Sequence, residues 1–360
     1  MLSLTRQKKT GAVVGLDIEA GSIAATELRS NGSVELAASA IGPLSPGAFH
    51  EGEVLDPDSL AEGLKSLFSQ HKLSKRVRLG IGNQRVIVRT LRLPAIEDPK
   101  EMEAAVRFQA QEQIPMPLDQ AVLEYQVVGG VPAEEGEAPQ LDVSVIAARR
   151  DMVSSFLAPL RQAGLEPVGV DLSAFGMIRA LAGGATAEAS DGEASASPAA
   201  VLYCNAGDVT NLAVARGRSC IFTRVSYVGL EQISSNLAAA RGLSHEHAAQ
   251  WLTHVGLEQP VEAIEGDPDT VAEARRSLEE GTSALVDELR LSLDYYAAQE
   301  AAVPVERIVL CGPGSAIPGL VERMEGIGLP IAVARPAALS GLDEAAAARL
   351  TLPFGLALES

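Results

Sequence analysis

Along the first forty positions apolar residues come in short alternating runs, broken by small and polar residues, the period-two pattern of half-buried strands. Residues 12–41 predict three strands, with Asn31-Gly32 as the hairpin turn between the second and third. The pattern then changes: Leu60, Leu64, Leu67 and Phe68 fall on one face of a helix near Asp58 to His71. Val77, Leu79 and Ile81, then Val86 and Val88, alternate again as two strands. The next helix has a marked start, with Asp98 as N-cap, Pro99 in the first helical position and Glu101 set to close a capping box. Met102, Ala105, Val106 and Ala110 form its apolar face, and Ile114-Pro115-Met116-Pro117 ends it, because proline cannot continue the hydrogen-bond ladder. Strands over 121–128 and 141–147 flank an acidic loop from Pro132 to Pro139. A helix over 151–164 turns Val153, Phe156, Leu157 and Leu160 to one side.

Residues 182–200 are rich in Ala, Gly, Ser and acidic side chains without periodicity, and predict a flexible loop that buries too little to offset ordering. Strands return at 201–205, 212–215 and 221–226, and helices dominate from Leu230 to about Ala302. In the last of these Leu285, Leu289, Leu293 and Tyr296 recur at helical spacing, and Pro304 breaks it before a strand over Arg307–Leu310.

One element appears twice. Val13-Val14-Gly15-Leu16-Asp17-Ile18-Glu19-Ala20-Gly21-Ser22-Ile23 is an apolar run, a small-residue turn and a second strand. Val201-Leu202-Tyr203-Cys204-Asn205-Ala206-Gly207-Asp208-Val209-Thr210-Asn211-Leu212 has the same form. A third glycine element, Ile308-Val309-Leu310-Cys311-Gly312-Pro313-Gly314-Ser315-Ala316, follows late. Two facing hairpin turns can hold a polyphosphate with backbone N–H groups, and a glycine turn that opens a helix can wall a nucleoside, with Ser315 able to cap that helix.

In the order and spacing of these elements the chain resembles the actin-like ATPase superfamily. Within it, the stretch from Arg89 to Val128 resembles the PilM proteins of type IV pilus assembly: Arg89-Thr90-Leu91-Arg92-Leu93-Pro94, the helix over Glu101 to Gln113, then Ile114-Pro115-Met116-Pro117 and Glu124-Tyr125-Gln126-Val127. The resemblance runs from about Gly11 to Ala357. It implies an α/β, two-lobed actin-like fold with duplicated domains and a strand-helix-strand-strand insert in the first. On that pattern residues 1–181 form the first lobe with the insert at about 77–165, residues 182–200 connect, and residues 201–360 form the second lobe with a helical subdomain at about 230–302.

The resemblance also implies a site. Asp17 matches the residue that organises hydrated Mg²⁺, a cation that prefers hard oxygen ligands. Gly21 and Ser22, then Gly207, Asp208, Thr210 and Asn211, match the two phosphate turns of an ATP site, and Gly312, Gly314 and Ser315 the adenosine turn. A residue-level alternative for Asp17 is a β-turn cap, and for the late turn a helix start without ligand. Several positions depart from the family pattern. Glu19 brings a carboxylate where glycine is usual, Ala24 stands for a common Lys, and Cys204 and Ala206 replace the Asp and Gly of the second turn. Pro313 replaces a glycine, and Ala248-Ala249-Gln250-Trp251-Leu252 lacks the Glu and Lys that usually meet the ribose. These departures weigh against ATP binding and more heavily against hydrolysis.

Composition narrows the partners. The chain has 360 residues, 47% apolar but only 4% aromatic, and a net charge of −18. That charge argues against a phosphate-binding basic face for nucleic acid and disfavours an anionic leaflet. The run Arg6-Gln7-Lys8-Lys9 reads as a solvated tail. No apolar run approaches the roughly 20 residues of a membrane span, so direct insertion is not expected, and Cys204, Cys220 and Cys311 show no metal or redox spacing. His245 and His247 point about 200° apart on a helix and cannot share a ligand sphere; Trp251 reads as a core plug. The resemblance therefore implies a cytoplasmic scaffold with weak or absent ATPase activity. Its partner is the cytoplasmic tail of a PilN-like inner-membrane protein, bound near Leu91, Arg92, Leu93, Pro94 and Ile96, with the pilus motor ATPase as a second implied partner. The alternatives within the superfamily are a sugar-kinase-like enzyme and an FtsA-like filament. Cys204 and Glu19 argue against the first, and a terminal segment without Lys or Arg argues against the tether the second needs.

Overall fold

The computed structural model describes residues 12–30, 33–131, 139–182, 199–299 and 302–358. The expected Asn31-Gly32 turn, the basic run at 6–9, the acidic loop from 132 to 138 and the segment 183–198 lie outside the described residues.

The first lobe opens with β1 (Val14–Glu19), β2 (Ser22–Ser30) and β3 (Val34–Pro43), a small hairpin of β4 (Phe49–His50) and β5 (Glu53–Val54), then α1 (Pro57–His71) and β6 (Arg76–Ile81). The insert follows as β7 (Val86–Pro94), α2 (Pro99–Gln113), β8 (Ala121–Val131) and β9 (Gln140–Arg149). The lobe closes with α3 (Arg150–Gln162), β10 (Glu166–Leu172) and α4 (Ser173–Leu181). The second lobe contains β11 (Ala200–Ala206), β12 (Thr210–Arg216), β13 (Ser219–Ser226), α5 (Leu230–Arg241), α6 (His245–Val255) and α7 (Pro268–Ala297). It continues with β14 (Val305–Cys311), α8 (Leu320–Met324) and β15 (Ile331–Val333), after which comes the terminal α9 (Glu344–Ala357).

The two main sheets share one topology. Their orders are β3-β2-β1-β6-β10 and β13-β12-β11-β14-β15. In each, the first three strands are antiparallel neighbours and the last two run parallel to the central strand. The central strands β1 and β11 are buried almost throughout, as expected of strands covered on both faces. Their hairpin tips are therefore equivalent positions in two copies of one design.

Three boundaries differ from the sequence reading. β6 pairs with β1 and β10 in the main sheet, so the insert is confined to β7–β9, a three-stranded sheet ordered β7-β9-β8 with α2 against it. β10 and α4 form where the sequence reading has no element; α4, from Ser173 to Leu181, has nine residues, too short for a periodicity argument. The third difference matters most. The closing helix α9 returns to the first lobe, so that lobe is not limited to residues 1–181. Asp343 caps it by accepting from the Ala346 N–H at 2.9 Å, and every residue from Ala347 to Ala357 is buried. Arg78 Nη1 donates to the Leu356 and Leu358 carbonyls at 3.0 and 2.5 Å, and Arg179 Nε to the Gly355 carbonyl at 3.0 Å. The contact with β1 is close enough to require glycine: a Cβ on Gly15 would lie 1.9 Å from the Pro353 carbonyl oxygen. Among the described residues no helix is long and apolar enough to cross a membrane.

Candidate functional site

The tips of β1–β2 and β11–β12 face each other across the cleft between the lobes. Ala20 N–H donates to Asp208 Oδ2 at 2.6 Å, and Asp208 N–H donates to Glu19 Oε1 at 3.3 Å. The two turns are thus bonded reciprocally. Gly207 permits this, since a Cβ there would meet Glu19 Oε1 at 2.4 Å. The N-terminus of α5 sits on the second turn, with Leu230 N–H donating to the Gly207 carbonyl at 2.9 Å.

Behind the first turn lies Arg349 of α9, with a side chain only 8% exposed. Its Nη1 meets Asp17 Oδ2 at 2.5 Å, and its Nε meets Glu19 Oε2 at 3.0 Å. The same guanidinium donates to Ser22 Oγ at 3.1 Å and to the Ser22 carbonyl at 3.3 Å. Burial opposes the charge on Arg349, but Glu19 and Asp17 raise its pKa above the ordinary arginine value. Burial is also the largest influence on Asp17, whose carboxyl rises to about 6 despite the opposing guanidinium, with Glu19 adding to the rise. Asp208 is pushed well above the carboxylate range by burial, then by the charges of Glu19 and Glu231. At the rim Glu231 of α5 accepts from Glu51 N–H at 3.1 Å and pairs with His50 Nδ1 at 2.6 Å, a second tie between lobes.

These residues do not fit a magnesium–triphosphate in this arrangement. The carboxylate expected to organise the metal, Asp17, is engaged by Arg349. The backbone N–H expected to meet phosphate, that of Asp208, is taken by Glu19. The space left among Asp17, Glu19, Asn205, Asp208, Asn211 and Glu231 is about 20 Å³. That holds one water and is far below the roughly 300 Å³ at which small-molecule pockets begin.

The other expected residues are placed as follows. Gly21 is exposed at the first tip. Thr210 is fully buried and its hydroxyl donates to the Val228 carbonyl at 2.6 Å, so it ties the second turn to the connection between β13 and α5. Asn211 reaches the cleft from β12. Gly312, at φ +83°, and Gly314 pack on β11, where Cβ atoms would lie 2.4 Å from Asn205 Oδ1 and 2.8 Å from the Ala206 Cβ. Ser315 does not cap a helix: it lies in a 3₁₀ turn over Pro313–Ala316, its hydroxyl donates to the Gly312 carbonyl at 2.7 Å, and α8 begins only at Leu320, after Gly319.

The partner segment needs a similar correction. Leu91 and Leu93 are buried at 0% and 3% in the insert core with Met102, Val106 and Val143, so neither can touch a peptide without unfolding the insert. Arg92 is exposed but pairs with Asp142 on the neighbouring strand at 3.0 Å. Pro94 is exposed and Ile96 packs partly against the insert core. Of the remaining candidates, His245 bonds to Ser234 Oγ at 3.0 Å and Trp251 is half-buried, stacked edge-on with His254.

Sequence reasoning missed Arg349, the residue that organises the cleft. A signal was present: Ala345 to Leu358 is apolar apart from Arg349 and Thr351, and a lone cation in such a helix requires a buried carboxylate partner.

A family model described as the type IV pilus assembly protein PilM matches residues 15–354. A chain of the PilM–PilN type IV pilus biogenesis complex is 26% identical, with a TM-score of 0.77 over 96% of this chain and 97% of that one. The ethanolamine utilization protein EutJ from Carboxydothermus hydrogenoformans has the same fold, with a TM-score of 0.52 and 14% identity over 96% of this chain and 88% of that one. MreB5 of Spiroplasma citri bound to AMPPNP is 13% identical, with a TM-score of 0.49 over 97% and 95%.

Proposed function

The chain belongs to the PilM family of type IV pilus assembly proteins, and from that premise we propose that it is a cytoplasmic scaffold that docks the tail of a PilN-like inner-membrane protein. The observation that carries the reading is the match, over nearly the full length of both chains, to a chain of the PilM–PilN complex. Docking through an inner-membrane partner would bring a protein of net charge −18 to the inner face of the membrane, which its own charge does not favour. ATP turnover has no part in the proposed role, and the crowded cleft supports that.

The proposed docking site is a groove of about 350 Å³ beside the insert. Two sheet edges flank it: β7 at the edge of the insert sheet and β13 at the edge of the second main sheet. Edge strands offer a row of backbone donors and acceptors to an added strand. Val86, Val88, Arg89, Thr223, Val225 and Tyr295 line the space, so apolar anchors can alternate with backbone pairing. Among the described residues its lining carries Arg89 and Arg224 and no carboxylate; Arg224 pairs with Glu288 at 2.9 Å, so the charge offered to a ligand is chiefly that of Arg89. Although the whole chain is acidic, the groove itself therefore favours a neutral or carboxylate-bearing segment over a basic one. Leu91 and Leu93 contribute from beneath, by fastening β7 to its core.

Titration of the full chain with the cytoplasmic tail peptide of the PilN-like protein encoded alongside it tests this reading. Binding by wild type, weakened roughly tenfold or more by Arg89→Glu and little by Arg92→Glu, is the expected result. Failure of wild type to bind removes the scaffold reading; the reverse ranking of the two variants moves the site to the far end of β7.

A further inference from the structure

We propose that this chain carries its own replacement for a bound nucleotide. The Arg349 guanidinium stands where a cation would serve the first turn, the Glu19 carboxylate stands where a phosphate would meet the second, and the cleft is held closed with no ligand. The inference rests on the cleft alone and is independent of which partner the scaffold docks.

Each half of the exchange has a distinct geometric basis. On the first turn, Arg349 joins two carboxylates, Asp17 at 2.5 Å and Glu19 at 3.0 Å, and also takes the Ser22 hydroxyl and carbonyl. All four atoms lie on one tight hairpin, which a cation would otherwise have to gather. On the second turn, the Asp208 N–H can donate to an anion, and Glu19 supplies that anion from the opposite lobe at 3.3 Å. Glu19 can reach only because residue 207 has no Cβ. Ala20 N–H to Asp208 then completes a two-way clasp at 2.6 Å.

The helix that delivers Arg349 is anchored independently. Arg78 and Arg179 hold its last turn by three carbonyls, and the first capping bond comes from Asp343. The guanidinium is therefore held at Asp17 by a buried helix rather than by a mobile loop. The substitution of Glu for the usual small residue at position 19, read from sequence alone as damage to a phosphate site, gains a role in this arrangement. A triphosphate entering the cleft would have to displace Glu19 from Asp208 N–H and set its own charge against Glu19, Asp208 and Glu231.

The test is amide hydrogen exchange on the full chain, read at the N–H groups of Ala20 and Asp208. Both should exchange slowly without nucleotide, and millimolar Mg-AMPPNP should change neither rate. Glu19→Ala should speed exchange at Asp208 by roughly tenfold or more, while core amides such as Leu79 and Val143 keep their rates and report an intact fold. Protection that appears only with Mg-AMPPNP would overturn the proposal, as would an unchanged Asp208 rate in Glu19→Ala. Should Glu19→Ala fail to fold, the nucleotide titration of wild type decides alone.

Discussion

The cleft between the hairpin tips and the groove between β7 and β13 are both bounded by strands of the two lobes, yet they solve opposite problems. The cleft has about 20 Å³ left; Arg349 answers Asp17 and Glu19, and Asp208 is bonded to the Ala20 N–H. The groove has about 350 Å³ and, among the described residues, lies beside two strands, β7 and β13, that each stand at the edge of their sheet. In the cleft, polar groups are bonded to one another across the lobes; in the groove, Arg224 pairs with Glu288 at 2.9 Å, and what is offered to a ligand is open space beside two sheet edges. A site matched by motif is thus closed, and a site with no motif of its own is open. Motif and availability are separate properties, decided here by Arg349 and Glu19 in the cleft and by the edge positions of β7 and β13 in the groove.

The largest expected effect breaks the cleft side of the comparison. Arg349→Ala leaves the Asp17 and Glu19 carboxylates buried without their cation, and should destabilise the protein by about 3–5 kcal/mol in denaturant unfolding. Adding Asp17→Asn and Glu19→Gln should recover much of that loss, because the cost comes from stranded charge rather than lost volume. Arg89→Ala in the groove should cost within about 0.5 kcal/mol. A small loss in Arg349→Ala would mean that the cleft is not organised by charge. Leu91→Ala comes next, at about 2–5 kcal/mol for a fully buried leucine. It should also weaken tail binding, by loosening β7. Binding unchanged in a demonstrably destabilised Leu91→Ala protein would separate the groove from the insert core.

How much of this was legible in the sequence follows from the range of the signals. The duplicated strand-turn-strand, the Asp98-Pro99 helix start and the order of the insert are local patterns, and the structure contains them all. Leu91 and Leu93 were legible as alternating apolar positions, but whether the covered face meets α2 or a peptide depends on packing across the insert. The return of α9 to β1 depends on contacts more than 300 positions apart, such as Arg349 with Asp17, where the separation is 332. No local periodicity encodes that. Only the isolated arginine in an apolar helix hinted at it. Glu19 shows the same limit: its residue type announced a departure from the family pattern, while its purpose depended on where Asp208 N–H came to lie.

A smaller effect sharpens the view of the second turn. Gly207→Ala places a Cβ 2.4 Å from Glu19 Oε1. The end of a flexible side chain can shift, so the cost should sit at the low end of overpacking, about 1 kcal/mol by denaturant unfolding. The same variant should speed exchange at the Asp208 amide, since the bond from that N–H is what the new methyl displaces. Loss of stability without that local change would place the strain elsewhere in the turn.

The smallest effect concerns the rim, where the tie between lobes is exposed instead of buried. His50 pairs with Glu231 at 2.6 Å, and its side chain is 54% exposed. The hydrogen bond to Glu231 is the main reason its pKa lies above the ordinary 6.5, opposed by burial and aided by the charges of Glu231 and Glu51. A histidine whose folded-state pKa is raised contributes its stability in full below the unfolded value and loses it as pH rises through the folded one. The difference in urea midpoint between wild type and His50→Gln should therefore be largest near about pH 5.5 and shrink toward about pH 8. Solvent screening keeps the whole effect small, as for other exposed pairs, and added salt should reduce it further. The buried Arg349 cluster predicts the contrary on salt, because screening falls off steeply for groups shielded from solvent. Measuring both variants at low and high ionic strength thus compares rim with interior directly: a salt-sensitive His50→Gln difference beside a salt-insensitive Arg349→Ala difference is the expected pair. Equal sensitivity would mean that water reaches Arg349, and the cleft would then be more open than its 20 Å³ implies.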